Sequence, residues 1–302
     1  MATDRESGGH STPMTHPGHH ACDSHVHVFD PARFAYAPQR RFTPDTATVA
    51  QLQQHLTSTG TPRVVLVQPS VYSHRHHALV DALHTLNSQA DLARGVAVLS
   101  AQSTTAEVDQ LAQAGVVGTR LNLAVNGLCQ ANVAGQDLQA LERRTPAEWH
   151  IQLHLPLNAL AELAPRLTRT RRVYVVDHFG LPPPGLPPSH PHWQALLQGL
   201  ASGRMYVKLS APYLVSGQPA GHADLEPLVR SLVAVAPSHL LWGSNWPHTQ
   251  GLHRGPDANP MQPEPFRVVD DAHWLRLCQQ WAGPHAAALL THNAASLYRF
   301  NM

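Results

Sequence analysis

The chain has 302 residues, 43% hydrophobic and 14% charged, a composition that supports a packed core and excludes a disordered protein. With 21 Lys and Arg against 20 Asp and Glu, the formal net charge is +1, which excludes a strongly basic partner surface for nucleic acid or an anionic membrane. No apolar run approaches the roughly 20 residues that span a bilayer, and the N-terminus carries no basic stretch followed by an apolar segment, so a cytoplasmic protein is expected.

Residues 1–21 form a Ser/Thr/Pro/Gly-rich leader and are expected to be a flexible tail, with 22–302 as one domain. Of 23 histidines, His10, His16, His19 and His20 fall in this leader at irregular spacing with no Cys among them, which argues against a metal-binding tail. Cys22, Cys129 and Cys278 are too sparse for a disulfide scaffold and suit a reducing compartment. The first β-rich run is Cys22–Val28, followed by a Pro-rich loop over 30–44 and a helical pattern over Thr48–Thr57. Strand Arg63–Gln68 precedes helix His77–Asn87, and strand Arg94–Leu99 precedes helix Thr105–Gly115. Strands Val116–Leu123 and His150–His154 come next, then helix Leu157–Leu167, strand Val173–His178 and helix His192–Leu200. Strand Met205–Ser210, a loop over 211–221, helix Ala223–Val235, strand His239–Ser244, a loop over 249–265 and a closing helix Leu289–Phe300 complete the chain. Short apolar strands alternating with helices predict a parallel sheet, and this number of units predicts an α/β fold of the (β/α)8 TIM-barrel type. A dinucleotide-binding fold needs a Gly-rich turn after the first strand; the chain reads His-Val-His-Val-Phe-Asp-Pro there.

Side chains alternate faces along a strand, so His25 and His27 share one face. Arg120 pairs in the same way with Asn122, His150 and Gln152 with His154, Lys208 with Ser210, and His178 with Val176 and Tyr174. Gln68 and Ser70 end the second strand and Asn245 follows the eighth. Each residue alone has a structural explanation: a lone inward His is ordinarily a satisfied core residue, Lys208 can snorkel, and Arg120 can be half of an ion pair. Polar groups at the C-terminal end of most strands are costly to bury unless they meet one another, water and a polar ligand, and that joint pattern marks a site.

Six blocks carry a resemblance: Cys-Asp-Ser-His-Val-His-Val-Phe-Asp (22–30), Val-Gln-Pro-Ser-Val-Tyr (67–72), Gly-Thr-Arg-Leu-Asn (118–122), Val-Asp-His-Phe-Gly (176–180), Lys-Leu-Ser-Ala-Pro-Tyr (208–213) and Trp-Gly-Ser-Asn-Trp-Pro-His (242–248). Together they resemble the amidohydrolase superfamily, in the branch of pyrone-dicarboxylate lactonases and sugar-lactone hydrolases and isomerases. The resemblance implies a barrel acting on a lactone or similar carbonyl compound, without metal in the pyrone enzymes and with a divalent ion in other relatives. It places His25, His27 and His178 on active-site positions and Arg120 where the pyrone enzymes have an arginine in the substrate pocket. Two departures stand out. Arg120 and Asn122 occupy the fourth strand, where metal-using members carry Lys or Glu, and Asn245 stands where the family has Asp. An amide accepts no proton at neutral pH and binds metal weakly. Asn245 is therefore open to three readings: an introduced replacement of Asp, a natural Asn as in a related lactone isomerase, or a barrel that binds without catalysis.

The catalytic candidates are His25, His27, His178 and Asn245. The substrate-binding candidates are Ser70, Tyr72, Arg120, Gln152, His154, Lys208, Tyr213 and His248, with Arg75 as added charge. Arg120 suits a carboxylate through its planar fork, and the histidines suit carbonyl polarisation and proton transfer. Ser70 lacks the Gly-x-Ser-x-Gly turn of a nucleophile. No cofactor is favoured; if a metal such as Zn2+ is held, His25, His27 and His178 are its ligands. The leading expectation is a hydrolase opening a small carboxylated lactone or pyrone ring. The alternatives are a lactone isomerase, a metal-dependent decarboxylase of the same superfamily and a non-catalytic binding barrel. The expected partner is a small anionic substrate, and the oligomeric state is not legible.

Overall fold

The computed structural model describes residues 18–124, 131–250 and 259–301. His10, His16, Cys129 and the centre of the 249–265 loop lie outside the described residues. Eight strands form one parallel sheet: β1 Cys22–Val26, β2 Arg63–Val67, β3 Ala93–Ala97, β4 Val116–Asn122, β5 His150–His154, β6 Tyr174–Val176, β7 Met205–Leu209 and β8 Leu240–Trp242. Each pairs with the next in chain order. The chain beyond β8 closes the ring: Val26 bridges Trp246 in parallel, Asn245 N–H donates to His25 O at 2.9 Å, and His27 N–H donates to Trp246 O at 2.8 Å. The result is the expected (β/α)8 barrel.

The strands are Val- and Leu-rich because both faces are covered. Outward residues such as Val64, Leu66, Ile151, Leu153, Val207 and Trp242 join the helices in one large core. Inward residues Cys22, Val65, Val67, Val96, Val175 and Leu241 make a second core on the barrel floor, sealed by Ala294, Ala295, Tyr298 and Phe300. The floor is thus apolar and closed, and polar groups collect at the opposite, C-terminal end. The helices are α1 Val49–Thr59, α2 His77–Leu86, α3 Thr105–Gln113, α4 Ala131–Arg144, α5 Leu157–Leu167, α6 Pro191–Ala201, α7 Glu226–Val235, α8 Asp271–Ala282 and α9 Asn293–Tyr298. The closing segment is a π-helical turn, Ala288–His292, running into α9. The sequence reading singled out neither α4 nor α8. Among the described residues no helix is long and apolar enough to cross a membrane.

Two local features aim the site. Asp23 Oδ1 accepts from His25 N–H at 3.1 Å and Ser244 N–H at 3.0 Å, clamping an irregularity in β1 against the end of β8. Gly243 allows that approach, since a Cβ there would lie 2.9 Å from His25 Cβ. The residues before β1 are not all tail: Ala21 is buried and its carbonyl accepts from Arg63 N–H.

Candidate active site

Asp177 organises the barrel mouth. It follows the end of β6, is fully buried, and its Oδ2 accepts from Arg120 Nε at 3.0 Å, Arg120 Nη2 at 2.9 Å and Gln152 Nε2 at 3.1 Å. Its Oδ1 lies 3.3 Å from His25 Nδ1 and 3.8 Å from Lys208 Nζ. Burial pushes this carboxyl upward, but Arg120, His25 and Lys208 together outweigh burial and hold it well below the ordinary carboxylate range. Lys208 does not snorkel. Its fully buried ammonium donates to Ser24 O and Gln152 Oε1, each at 2.8 Å, and lies 3.3 Å from His25 Nδ1. Burial lowers its pKa to about 8, so it is mainly protonated at neutral pH. Of these three charged groups two are cations, which leaves one positive charge in surplus.

The sequence analysis did not single out Asp177, and its signal was available. Alternation places His178 with Tyr174 and Val176, which face the helices, where Tyr174 Oη donates to Glu142 on α4 at 2.6 Å. Asp177 falls in register with inward Val175. His178 reaches the mouth because the strand has ended: His178 and Phe179 adopt left-handed φ values of 49° and 59°. Asn245 and His248 also have positive φ, at 69° and 70°. Such conformations cost about 1–3 kcal/mol each in non-glycine residues and gather at functional sites.

The inward histidines are neutral. Burial first, and Arg120 second, lower His27 to about 4. Burial, with Arg120 and Lys208 adding repulsion, lowers His178 to about 3. Burial and then Lys208 push His25 well below the usual range, and burial and then Arg120 do the same to His154. His27 Nδ1 meets Val67 O at 2.7 Å, which fixes the proton on Nδ1 and leaves Nε2 as an acceptor. His25 Nδ1 lies 3.3 Å from both Lys208 Nζ, a donor, and Asp177 Oδ1, an acceptor, so these contacts admit either tautomer. Its Nε2 is buried with no partner among the described residues. His154 Nδ1 meets Asn122 Oδ1 at 2.9 Å, and its Nε2 is likewise unpartnered. His178 Nδ1 shares a proton with Ser210 Oγ at 2.8 Å. The rings of His25 and His27 lie 5.0 Å apart, His25 and His178 4.7 Å, and His154 and His178 5.2 Å. Unpaired buried polar atoms are rare, and a polar ligand at the mouth would satisfy His25 Nε2, His154 Nε2 and Asp177 Oδ1, which are among those of the described residues.

After β8, Asn245 Nδ2 donates to Tyr213 Oη at 2.8 Å while Asn245 Oδ1 has no partner among the described residues. The Tyr213 ring meets His248 edge-on at 5.8 Å. His248 Nε2 donates to Asp271 Oδ2, at the start of α8, at 2.8 Å. Tyr72 is drawn outward: its Oη accepts from Asp30 N–H at 2.8 Å and its ring packs on Tyr36. Ser70 opens the half-buried turn after β2. Arg75 lines a different cavity of about 590 Å3 with His74, His76, His77 and His84. His150 lies toward the floor, packed on Tyr298 and facing Gly118, where any Cβ would collide with its ring.

His25, Asp177 and His178 each bring a ligand atom within 4.8 Å of one another; Asp177 joins this group and His27 does not. Asp177 Oδ1 has no hydrogen-bond partner among the described residues, so these three side chains could hold a divalent ion. Against one, Asp177 Oδ2 already accepts three hydrogen bonds, the carboxylate faces Lys208, Arg120 occupies β4, and Asn245 supplies no charge. A dication would join two fixed cations with a single anionic ligand.

Comparison with known proteins agrees with this geometry. The family model described as Amidohydrolase matches residues 22–300. A 2-pyrone-4,6-dicarboxylate hydrolase of Comamonas testosteroni is 31% identical over 78% of this chain and 80% of its own length. A D-galactarolactone isomerase of Agrobacterium fabrum is 26% identical over 80% of this chain and 78% of its own. The crystal structure of a probable 2-pyrone-4,6-dicarboxylic acid hydrolase from Acinetobacter baumannii, with citric acid bound, superposes with a TM-score of 0.73 at 26% identity, covering 93% of this chain and 100% of that one. Barrel, paired histidines and matched sequence converge on one conclusion: the chain belongs to the amidohydrolase family.

Proposed function

We propose that this enzyme opens a small anionic lactone or pyrone ring by adding water to its ester bond, without a resident metal. The observation that carries the reading is the barrel mouth itself, where unpartnered nitrogens of neutral histidines adjoin a cluster with one surplus positive charge. The surplus favours an anion. In the tautomer that carries its proton on Nε2, His25 is a preplaced donor for the negative charge that develops on the ester carbonyl oxygen when water attacks. The ring C–O bond then breaks, and the ring oxygen takes a proton to give an open-chain acid. The pyrone-dicarboxylate relative and the citric acid in the Acinetobacter structure support a substrate rich in carboxylates. The charge balance at Asp177 supports the absence of metal. Protein stripped with a chelator, incubated with carboxylated lactones and 2-pyrone-4,6-dicarboxylate, is expected to open at least one ring at an undiminished rate. Failure to open any ring would end the hydrolase reading, and loss on chelation with recovery on adding zinc would end its metal-free part.

Asn245 favours a second reading, lactone isomerisation. Moving the ester linkage to another hydroxyl of the same molecule consumes no water and needs no strand-eight carboxylate. Proton NMR of a sugar-acid lactone distinguishes the two, because isomerisation yields a new lactone without free acid.

A further inference from the structure

Hydrolysis needs a base for the attacking water, and the amide of Asn245 cannot serve. We propose that His248, oriented by Asp271, is that base; the proposal rests on the hydrolase reading above. His248 and Asp271 are nearly inaccessible, with side-chain exposures of 5% and 8%. The 2.8 Å contact to a carboxylate oxygen fixes the His248 proton on Nε2, so Nδ1 carries a lone pair. Among the described residues that lone pair is buried and unpartnered, as is Asn245 Oδ1. Both acceptors belong to one turn, in which His248 N–H donates to Asn245 O at 2.9 Å, and Tyr213 contacts both residues. Two unsatisfied acceptors on one turn match the two O–H bonds of a water molecule. Asn245 Oδ1 holds one O–H; His248 Nδ1 accepts the other.

The step balances. The water oxygen bonds to the carbonyl carbon, its proton moves to His248 Nδ1, and the carbonyl electron pair moves to oxygen. When the ring C–O bond breaks, the proton on Nδ1 passes to the departing oxygen. Asp271 stabilises the positive charge that His248 carries between these events, the role of the carboxylate in a carboxylate–histidine–nucleophile triad. The other polar and charged groups around the pair are His55 on α1, whose Nδ1 is 3.8 Å from Asp271 Oδ2, Asp23 on β1, 3.2 Å from His55 Nε2, and Arg267, stacked on the Tyr213 ring at 5.2 Å. His55, His248 and Asp271 also line a cleft of about 690 Å3 beside α1.

The test is ring opening by the full chain and by His248→Gln and Asp271→Asn, with citrate affinity as the measure of an intact site. The His248→Gln variant is expected to lose about 100-fold to 10,000-fold in kcat, the usual contribution of a general base, with citrate affinity within about 3-fold of the parent. The Asp271→Asn variant is expected to lower kcat with little change in KM and to displace the acidic limb of the kcat–pH profile, which a purely structural role would leave in place. If the parent turns over and His248→Gln retains its kcat, or loses kcat and citrate binding together, the base role is overturned and the hydrolase reading stands. If the parent opens no ring, both are overturned.

Discussion

At the scale of single residues, the account turns on Asp177. A buried carboxylate bridging Arg120, Gln152, His25 and Lys208 ties β4, β5, β6, β7 and β1 into one electrostatic unit. Removing its charge would strand two buried cations, and breaking such a pair costs about 3–5 kcal/mol. Asp177→Asn should therefore lower unfolding free energy by about that amount in urea denaturation; a change under about 1 kcal/mol, within the range of ordinary surface substitutions and exposed pairs, would show that the cluster is not structurally coupled. Lys208 yields a pH dependence. Its folded pKa of about 8 lies below its ordinary value, so the ammonium is present below that pH and lost as pH rises through it. Citrate should accordingly bind more weakly between pH 7 and pH 9.5, and calorimetric titrations giving equal affinity across this range would remove Lys208 from anion binding. On folding the sign is the reverse: the unfolded chain holds its lysine proton to higher pH, so the penalty for burying the ammonium is full below about 8 and is relieved above it.

At the scale of elements, much of the barrel was legible because buried parallel strands write themselves as short apolar runs. The eight predicted strands coincide with the observed ones apart from ragged ends. Inward and outward faces were legible while strands remained regular, as in β5, where Gln152 points in and Ile151 and Leu153 point out. They were not legible past a strand end. His178 turns inward on a left-handed φ, a conformation with no side-chain periodicity to announce it, and Asp177 was overlooked beside it. Asp271 escaped for another reason: α8, whose first turn carries it, was not singled out in the sequence, and its pairing with His248 spans 23 residues. In α8 the capping is done by Asp270, which accepts from His273 N–H, and this frees Asp271 for His248. The β1–β8 seam carries its own prediction. Gly243→Ala would press a methyl against His25, so it should cost about 1–3 kcal/mol and reduce ring opening by displacing His25. A stable, fully active Gly243→Ala protein would mean that the seam yields without moving the site.

At the scale of the whole molecule, the barrel separates two tasks. The floor, apolar except for His150 and plugged by α9, supplies packing; the mouth, polar and incompletely paired, is where the proposed function places the chemistry. The sequence identified the mouth through His25, His27 and the Asn245 block. It could not show that the Nε–Nη2 edge of Arg120 is occupied by Asp177, because pairing across strands 57 residues apart is written only in three dimensions. The mouth thus gathers neutral imidazoles, a surplus of positive charge and an amide in place of a carboxylate, all of them buried. On the proposed function, these suffice to add water to an anionic lactone. The most direct measurement is mass spectrometry of the product formed by chelator-treated protein from a carboxylated lactone in water enriched in oxygen-18. The predicted result is an open-chain acid carrying one solvent oxygen in the new carboxyl group. A rearranged lactone without label, or no conversion of any carboxylated lactone or pyrone, would contradict it.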